Sequence, residues 1–377
     1  MTPSHPDLDF YDPLFGYAAG TTGGEGGPIV TCTSLAEAQA AIDKSDGSPL
    51  IVFLAGEITG KDDLLVKGKK NLTILGDGAS SFMNGVGIRL VQSENVILFN
   101  LRIAKVKAGA KDAIGMETDC ARVVALHCDL SGDMDAGKDT YDGCFDGKRG
   151  TEKYAIVLSK THDHHKAWLQ GYSDSDTKPD AVREFTAALN LVKNVGSRCP
   201  SVRFGVAHVW GNVLEDVETS GVNCRQGAQV HIERNTFIRV HNPVVAIDSK
   251  QVGAWHLEDN AFEDCSWGKV GKGEASAQDG RSTTDYRAPY EVPGWTREQC
   301  AEMVRAYAGI LPPGMVVPLP GHGAPDPEPV EQVPEQPQEP EPQPEQPALP
   351  TPDLTAMREA ADAMVEAVVR FRKALGA

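Results

Sequence analysis

Several common sequence features are missing from this chain of 377 residues. Its eight cysteines include no Cys-x-x-Cys pair, which argues against zinc ribbons and thioredoxin-like redox sites. No apolar run approaches the roughly 18 residues of a membrane-spanning helix. Residues 1–15 have neither the basic start nor the apolar core of an ordinary signal peptide. We therefore expect a protein that does not span a membrane and does not follow ordinary secretion.

Positive charge is also scarce. The chain has 36 lysines and arginines against 53 acidic residues, a net charge of -17, and no long basic run. Because an acidic surface repels the phosphates of nucleic acid, we expect no nucleic-acid partner. The scattered cysteines are expected to be small buried apolar residues rather than bridges.

Composition divides the chain into three parts. Residues 1–322 have the composition of a globular domain, whereas residues 323–352 form a Pro- and Glu-rich segment without Lys or Arg. Such a segment cannot bury a core and is expected to be an extended linker. Residues 353–377 then show apolar residues at alternating spacings of three and four: Leu354, Met357, Ala361, Met364, Val368, Phe371 and Leu375.

This spacing predicts a coiled-coil helix in residues 353–377. Such a helix favours assembly into a homo-oligomer or docking on a larger assembly. The alternative is a helix that folds back onto the body, which a long acidic linker disfavours.

The body is predicted to be all-β, with short helices near residues 34–42 and 296–308. Its apolar runs are short and rich in Val, Ile, Leu and Phe, as expected for strands. Asn190, Asn212, Asn235 and Asn260 recur at intervals of 22, 23 and 25 residues, and Asn71 and Asn95 are 24 apart. A period of this length predicts a parallel β-helix with one coil per repeat and stacked Asn side chains. A β-sandwich would need more frequent hairpin turns.

Charged residues cluster in two motifs in the middle of the body. Asp142, Asp146 and Lys148 share one parity, so on a strand they would lie on one face, and a turn at Gly143 could bring both carboxylates to one hard cation such as Ca²⁺. The alternative is a solvated charged face. Lys166 ends the motif HDHHK and is a candidate cation for a sugar carboxylate, with a transition-metal site as the alternative.

A third candidate motif contains two arginines. Arg198 and Arg203 flank a proline turn beside a predicted strand. Two guanidinium groups in this arrangement could bind an anionic substrate, although ordinary surface ion pairs would give the same pattern.

Taken in order, these motifs resemble the pectate lyase family of right-handed parallel β-helices. The resemblance runs from about Gly16 to Pro312 and rests on several elements in register: the Gly-rich loop followed by IVTCTSLAEAQAAI, then NLTILGDG, the DG-x-x-D-x-K element, DHHK, R-x-P-x-x-R and RFGVAHVWGN. It implies calcium-assisted β-elimination on a uronate polysaccharide such as pectate.

The resemblance also implies residue roles. Arg198 would be the base, with Asp142 and Asp146 as Ca²⁺ ligands. Because free arginine has a pKa above about 12, other cations must favour its neutral form, and Lys148, Lys166 and Arg203 would supply that field.

One position departs from the family pattern. Where the family usually has W-I-D-H, with its Asp taken as a calcium ligand, this chain has Leu126 before His127. Loss of that carboxylate would weaken Ca²⁺ binding. The alternative function is therefore a non-catalytic or altered-specificity carbohydrate-binding β-helix that serves as a virion tail component. With the heptad segment and the missing signal peptide, the resemblance favours an enzyme that acts outside the cell as a virion tail component rather than as a secreted protein.

Overall fold

The computed structural model describes residues 4–78, 80–175, 183–313, 315 and 317. In this part the chain winds into a right-handed parallel β-helix, in which each coil contributes one strand to each of three sheets. Strands β1–β28 and helices α1–α3 are numbered in chain order. The predicted fold class is confirmed.

Sheet I is the longest of the three sheets. Every strand pairs in parallel with the strand of the next coil. Its ten strands are β1 (Ile29–Cys32), β2 (Leu50–Leu54), β5 (Lys70–Leu75), β8 (Glu94–Phe99), β11 (Ala121–Leu126), β14 (Glu152–Val157), β17 (Glu184–Ala188), β20 (Val206–Trp210), β23 (Gln229–Glu233) and β26 (Ala254–Glu258).

Sheets II and III each contain nine strands within the described residues. Sheet II consists of β3 (Glu57–Ile58), β6 (Phe82–Asn84), β9 (Arg102–Ala104), β12 (Asp129–Ser131), β15 (Lys160–Lys166), β18 (Leu191–Ser197), β21 (Val213–Val217), β24 (Thr236–Val240) and β27 (Ala261–Glu263). Sheet III consists of β4 (Leu64–Lys67), β7 (Ile88–Val91), β10 (Ile114–Thr118), β13 (Phe145–Gly147), β16 (Leu169–Gln170), β19 (Ser201–Arg203), β22 (Val222–Arg225), β25 (Val244–Ala246) and β28 (Ala275–Ser276), of which β28 is antiparallel to β25.

The predicted asparagine stack is present and buried. Asn212 Oδ1 accepts hydrogen bonds from both the main-chain and side-chain nitrogens of Asn190, each at 2.9 Å. Asn235 and Asn260 continue the pattern at the same turn of the next two coils. Because each amide satisfies backbone groups of the preceding coil, the stack joins successive coils.

Asn71 and Asn95 form a separate pair. Asn95 Nδ2 donates to Asn71 Oδ1 at 2.7 Å, near the start of two sheet I strands rather than at the turn after them. Asn71 and Asn95 are separated by the predicted period, but they lie at a different position in the coil from Asn190, Asn212, Asn235 and Asn260.

Three α-helices flank the coils: α1 (Leu8–Phe15), α2 (Leu35–Lys44) and α3 (Arg297–Tyr307). Ser34 caps α2, and Thr296 with Gln299 forms a capping box at α3, so both helices predicted from the sequence are confirmed. A second apolar cluster, separate from the interior core, includes residues of α1 and α3 and residues of sheet I strands.

Other predictions have mixed outcomes. All eight cysteines lie in the described part, seven of them are buried, and none forms a disulfide. Among the described residues, no helix is long and apolar enough to cross a membrane. The predicted linker, the heptad helix, and the oligomerisation and virion-tail attachment inferred from them fall on residues outside the described part.

Candidate active site

A cleft lined mainly by charged side chains, with a volume of about 370 Å³, lies on the outer side of sheet III. Successive coils contribute its walls, since Glu117 lies in β10, Asp146 in β13 and Leu169 in β16. Its described lining residues are Glu117, Asp142, Asp146, Lys148, Arg149, Leu169, Tyr172 and Arg198. The structure therefore brings four of the predicted site residues together: Asp142, Asp146, Lys148 and Arg198.

Strand alternation explains why the side chain of Asp146 points towards the cleft. Phe145 is fully buried in the interior core, so its neighbour Asp146 faces outward. Gly143 allows the carboxyl group of Asp146 to fold back, because a Cβ at position 143 would lie 2.1 Å from Asp146 Oδ1. Asp146 and Lys148 both line the cleft, although Lys148 lies just after the end of β13.

Asp146 has a buried carboxyl group, and one of its two oxygens has no hydrogen-bond partner. Its Oδ1 accepts the main-chain N–H of Leu169 at 3.0 Å, whereas its buried Oδ2 has no hydrogen-bond partner. Burial, followed by repulsion from Asp112, holds the pKa of Asp146 well above its usual range. A buried oxygen of this kind, close to the carboxylate of Asp112, fits a hard cation such as Ca²⁺.

Lys148 contacts two acidic residues, Asp112 and Glu117, that were not predicted from the sequence to lie in the site. Its Nζ lies 2.7 Å from Asp112 Oδ2 and 3.0 Å from Glu117 Oε1. Burial by itself would lower the pKa of Lys148, but the negative charges of Asp146 and Asp112 outweigh it and raise that pKa. Asp112 Oδ1 also accepts the N–H of Gly143 at 2.8 Å.

Glu117 and Asp112 were missed because no local motif marks them. Glu117 precedes Lys148 by 31 residues, and the two meet because β10 and β13 are neighbouring strands. The only available signal was the coil period, which would have predicted that residues about one coil before Lys148 lie beside it.

Lys166 reaches the cleft through Asp142. Its Nζ lies 3.2 Å from Asp142 Oδ1 and 2.8 Å from Asp139 Oδ1, at the end of β15. Lys166 itself is buried, whereas Asp142 is partly exposed on the cleft wall. This arrangement puts a second ammonium group within contact distance of a predicted calcium ligand.

Arg198 lies on the chain between β18 and β19. Its carbonyl oxygen accepts the N–H of Trp168 at 2.7 Å, which fixes the backbone beside the cleft. Its side chain is partly exposed and lines the cleft together with Glu117, Asp142 and Asp146. The cleft thus combines two guanidinium groups and one ammonium group with three carboxyl groups.

Comparison with known proteins identifies the family of this chain. The sequence profile described as pectate lyase matches residues 12–310. The chain belongs to the pectate lyase family. Pectate trisaccharide-lyase of Bacillus licheniformis is 35% identical over 314 residues, which span 81% of this chain and 88% of that protein.

Solved structures give the same result. Pectate lyase C from Erwinia chrysanthemi, determined with Ca²⁺, superposes with a TM-score of 0.72 at 26% identity, covering 78% of this chain and 95% of that one. A Bacillus pectate lyase in complex with trigalacturonate superposes with a TM-score of 0.71 at 27% identity, covering 78% and 98%.

Arg203, which was predicted to contribute positive charge to the site, is placed apart from the cleft. It is buried, and its Nε donates to Asp174 Oδ1 at 2.6 Å while its Nη1 donates to Gly171 O at 2.8 Å. Burial would raise the pKa of Asp174, but hydrogen bonds from Arg203 and Gln226 lower it to about 2. Arg203 is not among the described residues that line the cleft.

Leu126, the departure from the pectate lyase pattern, lies in a different environment. It ends β11 in sheet I and is fully buried in the apolar cluster that includes Leu14 and Phe15. The cleft, in contrast, is built on sheet III and contains Glu117 in addition to the predicted aspartates. Leu126 is thus separated from the described carboxylates of the cleft.

Proposed function

We propose that this protein is a polysaccharide lyase that cleaves a uronate-containing polysaccharide such as pectate by calcium-assisted β-elimination. The observation that carries the proposal is that Arg198, Lys148 and three carboxyl groups share one cleft in a chain of the pectate lyase family. The related structure with trigalacturonate supports a polyuronate substrate. Because such a polymer does not cross membranes, we propose that the protein acts outside the cell.

The reaction needs a base beside an electropositive site. We propose that Arg198 removes the proton from the carbon next to the uronate carboxylate. The electron pair left behind forms the new carbon–carbon double bond, and the bond between the adjacent carbon and the glycosidic oxygen breaks. The oxygen leaves with the electrons of that bond and takes up a proton from solvent. Lys148 would face the negative charge that develops on the substrate carboxylate, and Lys166 would hold Asp142 in position.

Oxygen ligands suited to Ca²⁺ are available in the cleft. Asp142, Asp146 and Glu117 would hold the ion, and the unpartnered Oδ2 of Asp146 is the oxygen that most needs a cation. A bound Ca²⁺ would neutralise the substrate carboxylate and so favour loss of the neighbouring proton.

Arg203 would act at a distance from the reacting atoms. Its bonds to Gly171 and Asp174 fix the segment that carries Tyr172, a residue of the cleft wall. We propose a positioning role for it, in which loss of the side chain raises KM more than it lowers kcat, and Arg203→Lys restores part of the binding.

The test is an ultraviolet assay for unsaturated uronide released from polygalacturonate and from a panel of acidic bacterial glycans. Wild-type protein with Ca²⁺, the same protein with a chelator, and Arg198→Ala are compared. We expect calcium-dependent product and a loss of about 10²–10⁴-fold in Arg198→Ala.

Arg239→Ala is the matched control, because Arg239 is an exposed arginine paired with Asp216. It should leave the rate unchanged, and circular dichroism should show all variants folded. Full activity of Arg198→Ala would remove its role as base. Absence of product from every glycan, with glycan binding retained, would overturn the lyase proposal and favour the alternative binding function.

A further inference from the structure

Three histidines stack on sheet I, away from the cleft. His208 in β20, His231 in β23 and His256 in β26 occupy equivalent positions on successive coils. The rings of His208 and His231 are nearly parallel, with centroids 4.7 Å apart, and the His231 and His256 centroids are 5.4 Å apart. Glu233 and Glu258 lie two residues after the second and third histidines, on the same face.

His208 has both ring nitrogens occupied. Its Nε2 lies 2.9 Å from Glu233 Oε1 and its Nδ1 lies 2.9 Å from the hydroxyl group of Tyr290. A carboxylate accepts the Nε2 proton and the tyrosine hydroxyl donates to Nδ1, so no lone pair is left for another ligand. His208 is therefore a structural member of the stack.

His256 has one nitrogen fixed and the other free. Its Nδ1 lies 3.2 Å from the carbonyl oxygen of Thr284. Since a carbonyl oxygen only accepts, Nδ1 carries the proton and Nε2 presents a lone pair. That Nε2 is buried, has no hydrogen-bond partner, and lies 3.7 Å from Glu258 Oε2.

His231 presents its Nε2 to the same carboxylate. This atom is also buried without a hydrogen-bond partner and lies 3.6 Å from Glu258 Oε2. On the other side of the ring, Nδ1 accepts the main-chain N–H of Ala288 at 3.4 Å and lies 4.0 Å from Glu233 Oε1. Binding of a cation at Nε2 would require the ring proton to move to Nδ1, which would replace the long bond from Ala288 by an interaction with the carboxylate of Glu233, now 4.0 Å away.

We propose that His231, His256 and Glu258 form a binding site for a divalent transition-metal ion of the Zn²⁺ class. Ligands about 2.0–2.1 Å from a tetrahedral Zn²⁺ lie roughly 3.4 Å from one another, close to the 3.6 and 3.7 Å that separate the two Nε2 atoms from Glu258 Oε2. Two imidazoles with one carboxylate suit zinc, copper or nickel rather than Ca²⁺.

The surroundings of Glu258 also leave room for a metal ion to bind. The side chain of Glu258 is 48% exposed, which leaves room for water to complete the coordination. Arg287 Nη2 now lies 3.2 Å from Glu258 Oε2 and is itself mostly exposed, so a bound cation would displace it without leaving a buried charge. The ion would join β23 to β26, the last strand of sheet I.

The test uses Co²⁺ as the probe, because its visible absorption reports on the coordinating atoms. Full-length protein without a histidine tag is stripped with a chelator, supplied with excess Ca²⁺ to occupy the cleft, and titrated with Co²⁺. We expect one Co²⁺ per chain, with affinity lowered at least about 10-fold in His231→Gln, His256→Gln and Glu258→Gln. Excess Zn²⁺ should abolish the absorption.

Two control variants distinguish the site from general binding. His241→Gln changes a histidine bonded to Ser266 outside the site, and Arg287→Gln removes the competing cation. Neither should weaken Co²⁺ binding. The half-exposed Glu258→Gln keeps the test valid if a histidine variant fails to fold. Equal Co²⁺ affinity in wild type and Glu258→Gln, or absence of Co²⁺ binding to the folded wild type, would overturn the proposal, whatever the result of the lyase assay.

Discussion

Lys148, which lines the cleft on sheet III, forms a buried ion pair with Asp112. Their charged atoms are 2.7 Å apart, and their side chains are only 14% and 2% exposed. The pair lies beside Asp146, a carboxyl group that burial and Asp112 keep difficult to ionise. Lys148 therefore compensates the crowded carboxyl groups, and it also contributes the positive charge that we assign to substrate binding.

The first prediction concerns this pair. Lys148→Met should lower the free energy of unfolding by about 3–5 kcal/mol in chelator, because it leaves a buried carboxylate without its partner. Added Ca²⁺ should recover part of the loss. Urea unfolding measures both values. Lys105→Met, which breaks an exposed pair with Asp133, should cost less than about 1 kcal/mol, and equal losses in the two variants would contradict this account.

The second prediction separates calcium binding from stability. Asp146→Asn should not lower Tm in chelator, since the pKa of the lost carboxyl group is raised by burial and one of its oxygens has no partner. The variant should, however, lose most of the rise in Tm that Ca²⁺ produces in the wild type. Asp216→Asn, at an exposed site, should keep the whole rise. A calcium-dependent rise that survives in Asp146→Asn would exclude Asp146 as a ligand.

The third prediction concerns pH and His127. Its Nδ1 lies 3.0 Å from Tyr307 O and 3.1 Å from Gly309 O, its Nε2 lies 3.0 Å from the hydroxyl group of Tyr11, and burial lowers its pKa to about 4. Between that value and the ordinary value of 6.5 the unfolded chain binds the proton and the folded chain does not. Stability should therefore fall as pH drops from 6.5 towards 4, by roughly 3 kcal/mol from this group.

His127→Asn removes that titration and retains a side-chain donor. Its unfolding free energy is measured by urea denaturation across the same pH range. The slope of this free energy against pH should correspond to about one fewer proton taken up on unfolding than in the wild type. An unchanged slope in His127→Asn would show that other groups cause the acid sensitivity.

The fourth prediction concerns the asparagine stack. Asn212→Ala should lower the free energy of unfolding by about 2–4 kcal/mol, because it leaves the buried main-chain N–H of Asn190 without its acceptor and removes the side-chain donor to Ala187 O. Asn84→Ala removes an exposed hydrogen bond to Glu57 and should change stability by less than about 0.5 kcal/mol. Chemical denaturation of both variants compares them directly, and similar small losses would mean that the stack is dispensable.

Local pattern in the sequence was sufficient for the coil architecture and for part of the site. The spacing of Asn190, Asn212 and Asn235 predicted one turn per coil, and the buried side chains of these residues stack as expected. Strand parity placed Asp146 and Lys148 on one face, because alternation depends only on neighbouring residues. The heptad segment in residues 353–377 remains a prediction.

Contacts between coils were decided by the tertiary structure. Strand partners are 31 residues apart where Gly115 pairs with Asp146, but 23 apart where His208 pairs with His231, because turns of different length separate the strands. A variable coil length prevents the sequence alone from fixing which residues of adjacent coils meet. The approach of Glu117 to Lys148, the bonds of Arg203 to the 171–174 segment, and the convergence of His231, His256 and Glu258 all depend on that register.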